Sequence, residues 1–280
     1  DLVPELFTSR FVNGPRALMA GVRAFERATF WLADAVICTN ESYRRAAIER
    51  GHVPPDRVTV VRSAPDLTRF VPVAPDPALK RGKPFLACYL GVMGPQDGVD
   101  YALRAMAHLR HDLGRDDFHA TFIGGGDAYD DCVRLAHELD LDDTVEFTGR
   151  VPDADVQALL STADVCLSPD PKNPLNDVSS MNKVVEYMAM SKPLVSFDLH
   201  EARVTAGDAA VYTRGDGDDI REFGRLVGEL FDDPERRERM GARGRRRVEQ
   251  SLSWETSRAN LVRAYAELVS RPRRSLLRRP

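Results

Sequence analysis

The sequence predicts an α/β protein, a parallel sheet covered by helices on both faces. Three observations carry that expectation. Short, almost wholly apolar runs recur along the chain, separated by segments of helical periodicity. Two of these runs, Phe85–Leu90 and Ala120–Ile123, exit directly into glycines. The stretch Asn173–Phe197 reads as a polar loop, then a short helix, then a buried strand.

The elements follow in order. The run Ala35–Thr39 is the first expected strand, and Asn40, Glu41 and Ser42 at its exit suit either a cleft wall or a helix cap. Val58–Val61, Val-Thr-Val-Val, is β-branched throughout and is the second. Pro65–Pro84, rich in proline and charge, reads as a linker or domain border. Strand Phe85–Leu90 leads to Gly91, Gly94 and Gly98, then to a helix over Tyr101–His111. Strand Ala120–Ile123 leads to Gly124, Gly125, Gly126 and Asp127, then to a helix over Tyr129–Leu139. Strand Val145–Thr148, helix Ala154–Ser161 and strand Val165–Leu167 come next. In the helix expected over Asn182–Met190, Val184, Val185, Met188 and Ala189 form the apolar face, and Pro193 opens strand Leu194–Phe197. Strand Ala210–Tyr212 and helices over Asp219–Phe231, Glu235–Val248 and Thr256–Val269 complete the pattern. No internal repeat is visible.

Composition excludes several classes. A chain of 280 residues with 43% hydrophobic content can bury a real core, in one domain or two. The net charge of −4 offers no general attraction for nucleic acid. No apolar run is long enough to cross a bilayer, and the start of the chain has no basic-then-apolar leader pattern. The expected location is therefore the cytoplasm. Cys38, Cys88, Cys132 and Cys166 are widely spaced in apolar segments, as reduced core residues would be.

In open parallel sheets the ligand lies outside the carboxyl ends of the strands. Three loops should meet there: those after Leu90 and Ile123, and the one before Asn182. The glycines let backbone approach a ligand closely, and the helix start at Ser179, Ser180 and Asn182 offers amides and partial positive charge to a phosphate. Lys183 stands one position inside that helix and Glu186 about a turn further on. Neither glycine loop matches the dinucleotide GxGxxG fingerprint or the Walker pattern, which disfavours a nicotinamide dehydrogenase. An ordinary capped helix packed on a sheet would explain the last loop equally well.

From about Asp34 onward the chain resembles the C-terminal, donor-binding half of a GT-B-fold retaining glycosyltransferase of family 4. The resemblance rests on an ordered series of blocks: Asp34–Ser42, Asp56–Pro72, Tyr89–Ala105, Phe122–Asp127, Val145–Pro169, Val184–Val195 and Ser253–Trp254. It implies a Rossmann-like lobe that binds a UDP- or GDP-sugar donor and passes the sugar, with retention, to a glycan or lipid-linked acceptor. Polysaccharide or cell-surface glycan assembly is the implied setting, with no metal or other cofactor required. Carried over by position, Glu186 meets the nucleotide ribose and the amides of Ser179, Ser180, Met181 and Asn182 cradle the diphosphate. Arg150 and Val151 meet the base, and Gly91, Gly94, Gly124 and Gly125 form the donor loops. The resemblance also divides the chain: residues 1–33 as a remnant of the N-terminal acceptor lobe, 34–252 as the donor-binding domain, and 253–280 as a C-terminal helix and basic tail. Most of the acceptor lobe is then missing from these 280 residues, so little or no turnover is expected of the chain alone.

Two departures from the family pattern matter. Val92 and Asp97 stand where the family carries an arginine and a lysine that neutralise the diphosphate. Val178 stands where the first glutamate of a paired-glutamate motif contacts the donor sugar. Either Lys183 takes over the phosphate charge and Asn176 or Asp177 reads the sugar, or the lobe binds donor without catalysis of its own. A sugar epimerase of the same fold would need acid–base carboxylates across the cleft, and no convincing pair is present.

The remaining features have plain readings. Asp216-Gly217-Asp218 has metal-motif spacing but reads as a solvated turn. Glu201 and Arg203 could reach the cleft mouth or form a salt-bridged turn beside His200, and Arg236–Arg247 reads as the solvated face of a helix. The tail Arg271–Pro280, with five arginines and two leucines, is either a frayed end or a peripheral contact with anionic lipid at the inner membrane face.

Overall fold

The computed structural model describes residues 2–10 and 15–270. The chain divides into two compact units. The described residues of 1–64 and 251–270, with residues 173–180, make up the first, and residues 65–172 and 181–250 the second.

In the second unit, six strands form the expected parallel sheet: β3 Phe85–Leu90, β4 Phe118–Ile123, β5 Val145–Gly149, β6 Val165–Ser168, β7 Leu194–Ser196 and β8 Ala210–Tyr212. β1 and β2, introduced below, belong to the first unit. The sheet order is β5-β4-β3-β6-β7-β8. Every residue of β4 and β6 is buried, the polar His119, Thr121 and Ser168 included, because both sheet faces are covered. The covering helices are α4 Val99–Ala107, α5 Tyr129–Glu138, α6 Asp153–Thr162, α7 Asn182–Ala189, α8 His200–Ala206, α9 Asp219–Asp232 and α10 Pro234–Ser251. Aromatic packing joins sheet to helix, where Phe85 stacks on Phe231 of α9 at 4.8 Å, and strand to strand, where Phe122 of β4 stacks on Phe147 of β5 at 5.3 Å.

The first unit contains α1 Val3–Arg10, α2 Arg16–Leu32, β1 Val36–Cys38, α3 Glu41–Glu49, β2 Val58–Val60 and α11 Trp254–Ser270. β1 and β2 pair only with each other, in parallel, and do not extend the six-stranded sheet. Arg50 ties the helices together, bonding Glu5 at 2.5 Å and the buried Glu26 at 2.7 Å. α11 is held to β2 by Asn260 donating to the Val60 carbonyl, and nearby Ser257 donates to that of Arg62. Residues 34–64 share a unit with the described residues of 1–33.

Several local readings change. Helices α1, α2, α3 and α8 carried no sequence expectation. Asn40 caps α3, its side chain accepting the Tyr43 N–H at 2.8 Å, so capping is the use the structure makes of it. α10 is more than a solvated face: Met240, Gly241, Gly244 and Val248 are buried. Arg245 and Arg247 donate to the carbonyls of Ala189 and Thr205, because helix C-termini leave such acceptors unpaired. The Asp216–Asp218 turn is exposed, as read. No described helix is long and apolar enough to cross a membrane, and the basic tail Arg271–Pro280 lies outside the described residues.

Candidate functional site

Sheet order in the second unit reverses between β3 and β6, the kind of position where open α/β sheets leave a crevice. The β3–β6 ladder ends with Ala87 opposite Val165 and Cys88 opposite Cys166. Tyr187 of α7, fully buried, takes over beyond that point. Its hydroxyl accepts the Leu90 N–H at 2.8 Å and donates to the Leu167 carbonyl at 3.0 Å. One phenol thus satisfies both strands where they stop pairing, and it pins α7 to the carboxyl edge of the sheet.

Lys183, four residues earlier on the same helix, is 7% exposed. Its ammonium donates to Asp170 Oδ1 at 2.7 Å and lies 5.0 Å from the centre of the Tyr89 ring. Asp170, wholly buried in the loop after β6, also accepts from Ser168 Oγ at 3.1 Å. Burial disfavours charge on Lys183, yet the groups around it, Asp170 foremost and Asp97 among the rest, together outweigh that penalty and hold the ammonium pKa above its ordinary value. Lys183 is therefore a charged group kept inside the fold, with Asp170 as its bonded counter-ion.

The glycine loops lie around this pair. A Cβ on Gly91 would stand 3.0 Å from the Tyr89 hydroxyl and 3.3 Å from Lys183 Cε, so the first loop lies directly against the lysine stem. Gly124 has φ +126°, and a Cβ there would fall 1.9 Å from the Gly91 carbonyl oxygen. Backbone bonds join the three strand exits: Gly91 N–H to Ile123 O at 3.0 Å, Gly124 N–H to Gly149 O at 2.9 Å, and Met93 N–H to Gly125 O at 3.1 Å. The Gly94 amide is already used, donating to Asp97 Oδ2 at 2.9 Å. Asp97, where the family pattern has a lysine, thus closes its own loop.

No side chain caps the start of α7 at Met181, and Asn182 in its first turn is exposed. Glu186, a turn later, is half-buried; burial raises its carboxyl pKa, with Arg69 and Lys183 opposing. Arg150 and Val151 follow Gly149 at the end of β5, the first exposed and the second half-buried. The second unit thus brings together Gly91, Gly94, Gly124, Gly125, Lys183, Glu186, Asn182 and Met181 along one sheet edge, with Arg150 and Val151 at the exit of β5.

Asn176, Asp177, Ser179 and Ser180 belong to the first unit. Asn176 is 2% exposed and its N–H donates to Asn173 Oδ1, while its carbonyl accepts the Ser179 N–H at 3.2 Å. That amide of the expected cradle is therefore occupied internally. The Ser179 hydroxyl donates to Leu175 O and meets the Tyr43 hydroxyl at 3.0 Å, and Ser180 Oγ accepts from Asn40 Nδ2 at 3.0 Å. Of the weaker candidates, Arg203 pairs with Asp198 and Glu201 is 1% exposed in α8, while His200 opens that helix.

Sequence reasoning passed over Asp170 and Tyr187. Tyr187 looked like part of an apolar helix face, and nothing local announces that its hydroxyl spans two strands. For Asp170 there was a signal: an acid three residues past the apolar run Val165–Leu167, at the carboxyl end of an expected strand.

Comparison with known proteins agrees with this architecture. The family model for glycosyl transferases group 1 matches residues 73–247. A GDP-mannose-dependent alpha-(1-6)-phosphatidylinositol monomannoside mannosyltransferase of Mycolicibacterium smegmatis is 30% identical over 236 residues, 80% of this chain and 56% of that protein. A D-inositol 3-phosphate glycosyltransferase of Thermobispora bispora is 27% identical over 259 residues, 88% of this chain and 58% of that protein. The chain thus spans somewhat over half the length of these curated relatives. Among solved structures, a sucrose-phosphate synthase from Thermosynechococcus elongatus superposes with TM-score 0.77 at 19% identity, over 96% of this chain and 66% of that one. HepE of Anabaena, solved in complex with UDP-glucose, superposes with TM-score 0.73 at 15% identity, over 95% of this chain and 70% of that one. With a parallel sheet of this order, a crevice-forming strand reversal and a family match over residues 73–247, the chain belongs to the glycosyl transferases group 1 family.

Proposed function

We propose that this chain carries the donor-binding half of a retaining glycosyltransferase that uses a UDP- or GDP-sugar. The observation that carries the reading is the Lys183 ammonium, held charged beneath Gly91 at the strand reversal, beside an uncapped helix start. A diphosphate brought there meets backbone amides of α7 and a fixed positive charge together. Bond breaking leaves oxocarbenium-like charge on the sugar while negative charge grows on the departing diphosphate. Preorganised donors act on that developing charge more than on the ground state. Glu186 accepts from the two ribose hydroxyls, which a carboxylate can do with its two oxygens. The base is met at Arg150 and Val151, and the acceptor is a glycan or a lipid-linked sugar, at the inner membrane face if lipid-linked. In this reading no metal or other cofactor takes part.

A thermal-shift panel of UDP, GDP, ADP and their sugars tests it. One nucleotide series should raise the melting midpoint by about 5 °C or more at hundredfold excess over its Kd. Glu186→Ala should abolish the shift, whereas Asp216→Ala, in the exposed turn, should leave it intact. No shift with any nucleotide, or an unchanged shift in Glu186→Ala, would refute the reading. Only the ionised Glu186 serves both hydroxyls, and its carboxyl protonates at higher pH than an ordinary glutamate. Nucleotide affinity should therefore decline as pH falls through that raised pKa, with the loss setting in at higher pH than for an ordinary glutamate; calorimetry across an acid pH series reads it.

A second reading has its own support. Asp97 adds negative charge to the loop where the family places a lysine, and Val92 and Val178 remove two further polar contacts. These losses suit a nucleotide-sugar-binding subunit whose catalysis resides elsewhere. Measurable sugar transfer by this chain alone would refute that second reading.

A further inference from the structure

We propose that Asp170 is the positioning residue for Lys183: a buried counter-ion that keeps the ammonium charged and aimed beneath the Gly91 loop. The inference rests on the donor-site reading above and names the residue that makes that site work. It is the only carboxylate bonded to Lys183 among the described contacts, at 2.7 Å, and is itself oriented by Ser168 Oγ at 3.1 Å. Both oxygens of Asp170 are therefore committed, one to the ammonium and one to the hydroxyl. Neither is offered to ligand, since the side chain is 1% exposed.

The consequence is a trade in charge. Asp170 repels an incoming diphosphate, yet without it Lys183 would be a buried amine with little reason to hold a proton. Other groups facing Lys183 do not replace it. Tyr89 on β3 is kept neutral by its own burial, Asp97 adds to the lysine pKa from its own loop but by less than Asp170, and Glu186 lies a turn away on the same helix. With Asp170 present, the lysine pKa stands above its ordinary value, so the positive charge persists through the alkaline range. With Asp170 neutral, burial dominates and the charge is lost as pH rises.

Asp170→Asn tests this, because it retains shape and removes charge. Binding of the nucleotide diphosphate that the thermal-shift panel selects would be measured by calorimetry from pH 6 to pH 9.5. At pH 6 the variant should bind within about threefold of wild type, because the lost repulsion compensates for a less well-placed lysine. By pH 9 it should bind at least about tenfold more weakly, a divergence that a purely structural defect would not produce. Asp170→Glu should restore the wild-type profile in part. Ser168→Ala, which removes only the orienting hydroxyl, should move the alkaline loss in the same direction by a smaller amount, and it serves if Asp170→Asn does not fold. A constant ratio of variant to wild-type affinity at every pH, in Asp170→Asn or in Ser168→Ala, overturns the inference and leaves the donor site standing. Absence of binding by the wild-type chain at every pH overturns the donor-site reading and this inference with it.

Discussion

Lys183→Ala is expected to destabilise the chain by about 3–5 kcal/mol, as removal of one partner from a buried ion pair does. Asp170 would remain wholly buried with a charge and only the Ser168 hydroxyl to meet it. Replacing both partners with apolar residues of similar size, Lys183→Met with Asp170→Leu, should recover most of that loss, because no uncompensated charge is left inside. Urea denaturation of Lys183→Met, Asp170→Leu and the double variant measures the coupling directly. The same double variant should not bind nucleotide. Stability regained without binding would separate the cost of keeping this pair from its use. If the double variant were as unstable as Lys183→Ala, the energetic account of the pair would fail.

Gly124→Ala carries the second large effect. A Cβ at this position would stand 1.9 Å from the Gly91 carbonyl oxygen, and the residue has φ +126°, which side chains seldom adopt. Both terms act against the variant, for about 2–4 kcal/mol in total, and relief requires pushing the two glycine loops apart. Because Gly91 rests against Lys183, such a shift should also weaken nucleotide binding. Gly125→Ala is the matched control: its Cβ would meet nothing nearer than Tyr129 Cδ2 at 4.0 Å. A melting midpoint within about a degree of wild type is expected for it, and equal losses in the two variants would discount the close approach at Gly124.

The strand runs show how far local pattern reaches. The strands expected over Ala120–Ile123 and Val165–Leu167 were legible because apolar residues dominate them, whereas Phe118 and His119 fell outside the expected bounds because the polar His119 interrupts the run. The glycine exits after Leu90 and Ile123 were legible for a related reason, since close backbone contact leaves no choice of residue. Helix α2 was not legible, because an amphipathic segment at the edge of a chain looks much like any charged surface stretch. β1 and β2 were expected as strands and are strands. That they pair apart from the main sheet depends on which unit buries them, a matter no nine-residue window contains.

At the site, the residue types were evident before their employment was. Lys183 and Glu186 stood out as ionisable groups at a helix start, and Asn40 as a polar residue at a strand exit. Their partners lie 13 residues away for Lys183, at Asp170, and 138 and 140 residues away for Asn40, at Val178 and Ser180. Alternating apolar runs, glycine exits and ordered motif blocks were enough to establish a parallel α/β lobe of this family, because those features answer to local geometry and to burial. The counter-ion beneath Gly91, the phenol bridging β3 and β6, and the occupied amide of Ser179 were settled only when distant segments met. Electrostatic and hydrogen-bond partnerships depend on distance through space, and that distance comes into being with the fold.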